Sequence, residues 1–147
     1  MSSLAHAQSY RELIVYQKAR TLAQEIFALT RHFPKEETYS LTDQVRRSSR
    51  SVGAQIAEAW AKRRYEKHFV SKLTDADGEQ QETQHWIEIA LDCGYIDRVQ
   101  ASDLMRKCSE IGRLIGGMIA KADLFCNPRS TSIREIQADY FVPLTDH

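Results

Sequence analysis

Glu82 and His85 stand three residues apart in a stretch of helical periodicity, the spacing that places a carboxylate and an imidazole on one helix face. Two such pairs on facing helices, with two further glutamates, would build a di-iron centre. This chain has one Glu-x-x-His, and His6, His32, His68 and His147 are scattered, so neither a metal nor another cofactor is expected. Ser48, Ser49 and Ser51 could be imagined as nucleophiles, but no nucleophile elbow, HExxH or glycine-rich phosphate loop accompanies them. In a helix their ordinary place is as small packing residues whose hydroxyls return to the backbone. Glu58 lies among Ala57, Ala59 and Ala61, where a buried carboxylate would need a partner; pairing with an arginine is expected rather than acid-base work. No enzymatic activity is expected.

The residue types that stand out are cations. Gln44 to Phe69 reads QVRRSSRSVGAQIAEAWAKRRYEKHF, with arginines at both ends and Ser, Gly and Ala between them. At about 100° per residue, Leu41, Val45, Ser48, Val52, Ile56 and Ala59 form a core stripe. Arg46, Arg50, Gly53, Ala57, Ala61 and Arg64 form a second stripe beside it. A mid-helix glycine costs about 1 kcal/mol relative to alanine, so Gly53 is expected where another backbone comes close. The next helix has the opposite charge: Asp75, Glu79, Glu82 and Trp86 line up beside its apolar face, and no Lys or Arg occurs from Asp75 through Asp97.

That polarity has three readings. It is a solvated pair of helices within one subunit; or a subunit interface, Gly53, Ala57 and Glu58 of one copy meeting Asp75, Glu79, Glu82 and Trp86 of the next; or a phosphate-binding surface of Arg46, Arg47, Arg50, Lys62, Arg63, Arg64 and Lys67. Charge runs are usually solvated faces. Trp60 and Trp86 are expected as core or interface aromatics rather than nucleic-acid stacking platforms.

These residues must be positioned by helices. Apolar spacing predicts the first from about Tyr10 to Arg31, ended by His32-Phe33-Pro34, and the second from Ser40, as its cap, to at least Lys62. The third runs from about Tyr65 to Asp92 through Phe69, Leu73, Ala76, Gln80, Thr83, Ile87 and Ala90, with Gly94 at its exit. The fourth runs from about Asp97 to Ala122 through Leu104, Cys108, Ile111, Ile115 and Met118. Short turns between them predict an all-α, antiparallel up-and-down four-helix bundle over residues 1–125. Residues 126–147 are expected as a tail that docks as a short helix or an extended arm.

The 147 residues suffice for one domain, and 42% hydrophobic with 27% charged residues argues against disorder throughout. Twenty Lys and Arg balance twenty Asp and Glu, so any attraction to nucleic acid or membrane must be local. No apolar run approaches the roughly 18 residues of a membrane span and no signal peptide is evident, which makes the cytoplasm the expected location. Cys93, Cys108 and Cys126 fit reduced, mostly packed thiols.

The order YRELIVYQKA, FPKEETYSLTDQVRRSSRSVGAQIAEAWAKRRYEKHF and DADGEQQETQHWIEIALDCGYI resembles the four-helix bundle proteins encoded by intervening sequences in bacterial 23S ribosomal RNA genes. The accessory variability determinant proteins of diversity-generating retroelements look like relatives of that group. The resemblance covers roughly Ser9 to Ala122, with Arg46-Arg47 matching a double arginine and Ile56-Ala57-Glu58 an Ile-Ala-Glu. Gln55 stands where Asn is expected and Ala59 where Gly is expected. What it implies is a non-enzymatic homopentameric ring with a basic surface for RNA or DNA, and, through the retroelement relatives, a reverse transcriptase as a candidate partner. The rival expectation is a structural or protein-interaction scaffold whose arginines serve the subunit interface.

Overall fold

A computed structural model describes residues 9–127 and 136–143; the rest of the expected tail, 128–135 and 144–147, lies outside the described residues. Four long helices carry the fold: α1 Ile14–Thr30, α2 Asp43–Ala61, α3 Glu66–Asp92 and α4 Arg98–Ala120, followed by the short α5 Ala122–Cys126. α1 packs on α2, α2 on α3, α3 on α4, and α4 closes back on α1. This is the up-and-down four-helix bundle that the spacing predicts.

The α3 core stripe is buried at every position the periodicity selects, Phe69, Leu73, Ala76, Gln80, Thr83, Ile87 and Ala90. α4 buries Leu104, Cys108, Ile111, Ile115 and Met118 against it and opens on a capping box in which Asp97 and Gln100 exchange bonds of 2.7 and 2.9 Å. Between α3 and α4 the chain turns at Gly94, whose φ of 77° suits glycine. On α2 the serines take packing roles: the Ser48 and Thr83 hydroxyls share a buried 2.8 Å bond to α3, and Ser49 donates to the Arg46 carbonyl. Cys108 is fully buried, which pushes its thiol up to about 12, while Cys126 is half-buried and Cys93 is exposed, so only one of the three thiols is fully packed; all are free.

Two helix starts differ from expectation. Tyr10–Glu12 form a 3₁₀ turn and Leu13 is extended, because Leu13 makes a β-bridge to Phe141; α1 therefore begins at Ile14. Ser40 does not cap α2. Thr38–Thr42 form a π turn that runs straight into Asp43, and the Ser40 hydroxyl donates to the Glu37 carboxylate at 2.8 Å.

The C-terminal segment seals one end of the bundle. Residues 136–140 are helical, with Ile136, Tyr140 and Phe141 buried. Phe125 contacts Phe69, Tyr140 and Phe141 at ring separations of 5.8, 5.4 and 6.1 Å, and Phe141 stands edge-on to Trp60 at 6.0 Å. Gly117 makes room for this segment, since a Cβ there would overlap the Tyr140 hydroxyl.

At the other end, Tyr95 donates to Glu37 at 2.8 Å and ties the α3–α4 turn to the α1–α2 connection. That bond is the largest cause raising Tyr95 to about 12, and it also holds Glu37 below the ordinary carboxylate range. The stability it contributes is therefore full below the ordinary tyrosine value near 10 and fades as pH rises through about 12. On the acid side it is present above the ordinary carboxylate value and lost as pH falls through the depressed one. Tyr95→Phe is expected to lower Tm at neutral pH and to melt with the parent protein above about pH 12. A Tm deficit that persists unchanged at that pH would disprove the link.

Candidate nucleic-acid interface

The α2 cations divide by what holds them. Arg46 donates from Nε to the Thr30 hydroxyl at 2.7 Å, and its guanidinium lies 4.6 Å from the centre of the Phe27 ring. Arg50, one turn on, lies 5.4 Å from the same ring, which is 39% exposed. Arg63 is half-buried, stacked 3.5 Å over Trp60 with Nε bonded to the Trp60 carbonyl at 3.0 Å, and burial lowers its pKa against an opposite pull from Cys126. Arg47, Lys62, Arg64 and Lys67 are exposed. Tyr65, 57% exposed, sits among the last three with Arg64 at 5.8 Å from its ring and His68 at 5.4 Å.

Among the described residues none of these seven cations stands in ion-pair contact with a carboxylate; those that do are Lys18, Lys72, Arg106 and Lys107. The exposed ones are left to solvent, and Arg47 lies close enough to α3 to pull on Glu79. The ion pair that does join these helices has the reverse polarity, Glu58 of α2 to Lys72 of α3 at 3.1 Å. Glu58 therefore pairs with a lysine rather than an arginine, and it does so at the surface, with its side chain 54% exposed. Exposed pairs of this kind contribute about 0–1 kcal/mol.

Gly53 faces Tyr16 and Ala19 of α1, and a Cβ there would lie 3.5 Å from the Tyr16 ring, an ordinary contact. Among the described residues the nearest atoms there are side chains of α1, not the close backbone expected at Gly53. Instead Gly53, Ala57, Ala19, Ala23 and Tyr16 floor an open groove of about 400 Å³ between α1 and α2, with Arg20 and Arg50 along it. A second groove of about 440 Å³, between α1 and α4, carries Lys18, Arg106, Lys107 and Glu110, whose charges pair off among themselves and with Asp103 and Glu25.

On α3, burial holds Glu79 above the ordinary carboxylate range, with Glu82 adding to the shift, Arg47 opposing it and Asp75 adding further. Asp75 is met by Lys72 at 3.9 Å, while Glu79 and Glu82 make no ion pair among the described residues. Trp86 is partly buried and donates weakly to Glu82 at 3.4 Å, while His85 packs edge-on to it at 4.7 Å. Among the described residues no three of His, Cys, Asp and Glu gather where a metal could bind. Among the same residues, no helix is long and apolar enough to cross a membrane.

The spacing on α2 and α3 selects the cations and the acidic line, but not Phe27 or Tyr65. Tyr65 follows Arg63-Arg64 directly, a signal that was available in the sequence, whereas Phe27 meets Arg46 and Arg50 only through the packing of α1 on α2.

Residues 11–117 match the family described as 23S rRNA-intervening sequence protein. Among solved structures, the chain is similar to a protein of unknown function from the S23 ribosomal protein family of Bacteroides thetaiotaomicron VPI-5482. The two are 30% identical with a TM-score of 0.67, over 73% of this chain and 96% of that one. No protein of curated function matches.

Proposed function

We propose, for a chain that belongs to the 23S rRNA-intervening sequence protein family, that it acts without catalysis, as a homo-oligomeric bundle whose α2 cations hold the phosphate backbone of a nucleic acid. The supporting observation is the unpaired charge: Arg46, Arg47, Arg50, Lys62, Arg63, Arg64 and Lys67 make no ion pair among the described residues. The cations lie in two clusters, Arg46 to Arg50 and Lys62 to Lys67, towards the two ends of a strip of α2 about 24 Å long at about 1.5 Å per residue, with no cation between Arg50 and Lys62. Such contacts position a backbone without reading its bases. Because the chain is neutral in sum, attraction acts only near the strip, within about 10 Å at 0.1 M salt. The ring of five that the resemblance implies would repeat the strip and let weak sites act together. The family match does not extend to the retroelement relatives, so a reverse transcriptase is not proposed as the partner.

A second reading, the scaffold, draws support from the α1–α2 groove. Its small-residue floor at Gly53 and Ala57 and its flanking arginines suit a neighbour's helix carrying Asp75, Glu79, Glu82 and Trp86, of which Glu79 and Glu82 make no ion pair among the described residues. The two readings are compatible, since Lys62, Arg64 and Lys67 lie beyond that groove.

Native mass and binding to a short structured RNA across a salt series, on one sample, test the proposal. A five-subunit mass with affinity that falls steeply as salt rises is expected. An intact ring with no binding at low salt would leave the scaffold alone standing.

A further inference from the structure

We infer that the α2–α3 corner is a stacking site for an unpaired nucleotide, with the Tyr65 ring as platform and Lys62, Arg64 and Lys67 holding the phosphates on either side. This inference rests on the nucleic-acid reading and adds the kind of strand bound. Tyr65 is left 57% exposed in a tight turn and, unlike Tyr39, which is 89% exposed beside Glu36 and Glu37, it lies in a cationic segment. Residues 62–67 hold four cations, Lys62, Arg63, Arg64 and Lys67, against one carboxylate, Glu66, so the charge around the ring is locally positive in a neutral chain.

The corner is also firmly built. Arg63 is fixed on Trp60, Trp60 is braced by Phe141 of the docked C-terminal segment, and Phe69 anchors the start of α3 in the core. A platform on a rigid turn loses little freedom when a base stacks on it. Phe27 is the other exposed aromatic beside arginines, but two guanidiniums already lie at its ring. Among the described residues, Tyr65 has Arg64 alone among cations over its ring, at 5.8 Å, and His68 leans on it at a tilt of 54°.

An aromatic face with flanking cations recognises single strands, because only an unstacked base has a face to offer. In a duplex the bases are stacked on one another, and the same cations meet phosphate alone. Tyr65 should therefore matter for single strands and be nearly silent for duplexes.

The test compares a short single-stranded RNA with the duplex formed from it, for the parent protein, Tyr65→Ala and Tyr65→Phe. We expect Tyr65→Ala to weaken single-strand binding about tenfold or more and to leave duplex binding within about twofold. Tyr65→Phe should bind both as the parent does. Native mass and Tm should be unchanged in each variant, since the side chain is exposed. Equal loss on both RNAs, or no loss on the single strand, would overturn the stacking site while leaving the charge-based reading intact. Failure of the parent protein to bind either RNA would instead overturn the charge-based reading, and the stacking site with it.

Discussion

Phe125→Ala is expected to lower the unfolding free energy by about 3–5 kcal/mol, the usual cost of emptying a fully buried aromatic site. The effect should be near the upper end because the ring supports several neighbours at once. It is 1% exposed, it stacks on Phe69 of α3, and it receives both Tyr140 and Phe141. Its removal takes the floor from under the C-terminal segment as well as leaving a cavity in the bundle. For a chain of this size the Tm should fall by on the order of 10 °C. Denaturant titrations at one fixed protein concentration would measure it, since association would add its own stability. A cost below about 1 kcal/mol would mean that the aromatic cluster rests on the bundle without being part of its core.

Reversing Arg46 and Arg50 together to glutamate is expected to weaken RNA binding about a hundredfold, since each charge-assisted hydrogen bond to phosphate is worth about 1.5 kcal/mol. The slope of log affinity against log salt should shrink by about two, one for each phosphate released. Both residues are tied by Thr30 or Phe27 on the α1 side and to no carboxylate among the described residues, so the bundle itself should survive. Native mass decides between the two readings. A ring that persists while RNA no longer binds identifies the arginines as phosphate ligands. A ring that dissociates assigns them to the groove and to a neighbour's acidic helix.

The helices and the bundle are legible in the residues because burial repeats with one period from Phe69 to Ala90 in α3 and from Ala101 to Met118 in α4. Every α3 position that the periodicity selects is buried. α1 is harder, since two faces compete: Val15, Ala19, Leu22 and Ile26 enter the core, while Tyr16 and Ala23, one residue away, floor the groove. Periodicity fixes the angle between stripes but does not say which one meets the core. The Lys72 partner of Glu58 is hidden from the sequence because it lies on the next helix, where local spacing carries no information about register. The docking of Ile136, Tyr140 and Phe141 is visible only as apolar residues four and five apart in a short segment, and their receptors are dispersed from Leu13 to Phe125. For the cations, residue identity is plain from the sequence, whereas the absence of carboxylate partners among the described residues requires three-dimensional placement.

The bridge between Leu13 and Phe141, with the Val142 amide donating to the Glu12 carbonyl at 2.8 Å, places two distant parts of the chain side by side. As a wiring diagram the bundle is a closed circuit rather than an open line. The order in which its helices are synthesised is then separable from the way they pack. A circular permutant that joins the segment after Pro143 to the segment before Ser9 and opens the chain at the exposed Gly94 turn would keep the interhelical packing while exchanging which helices are made first.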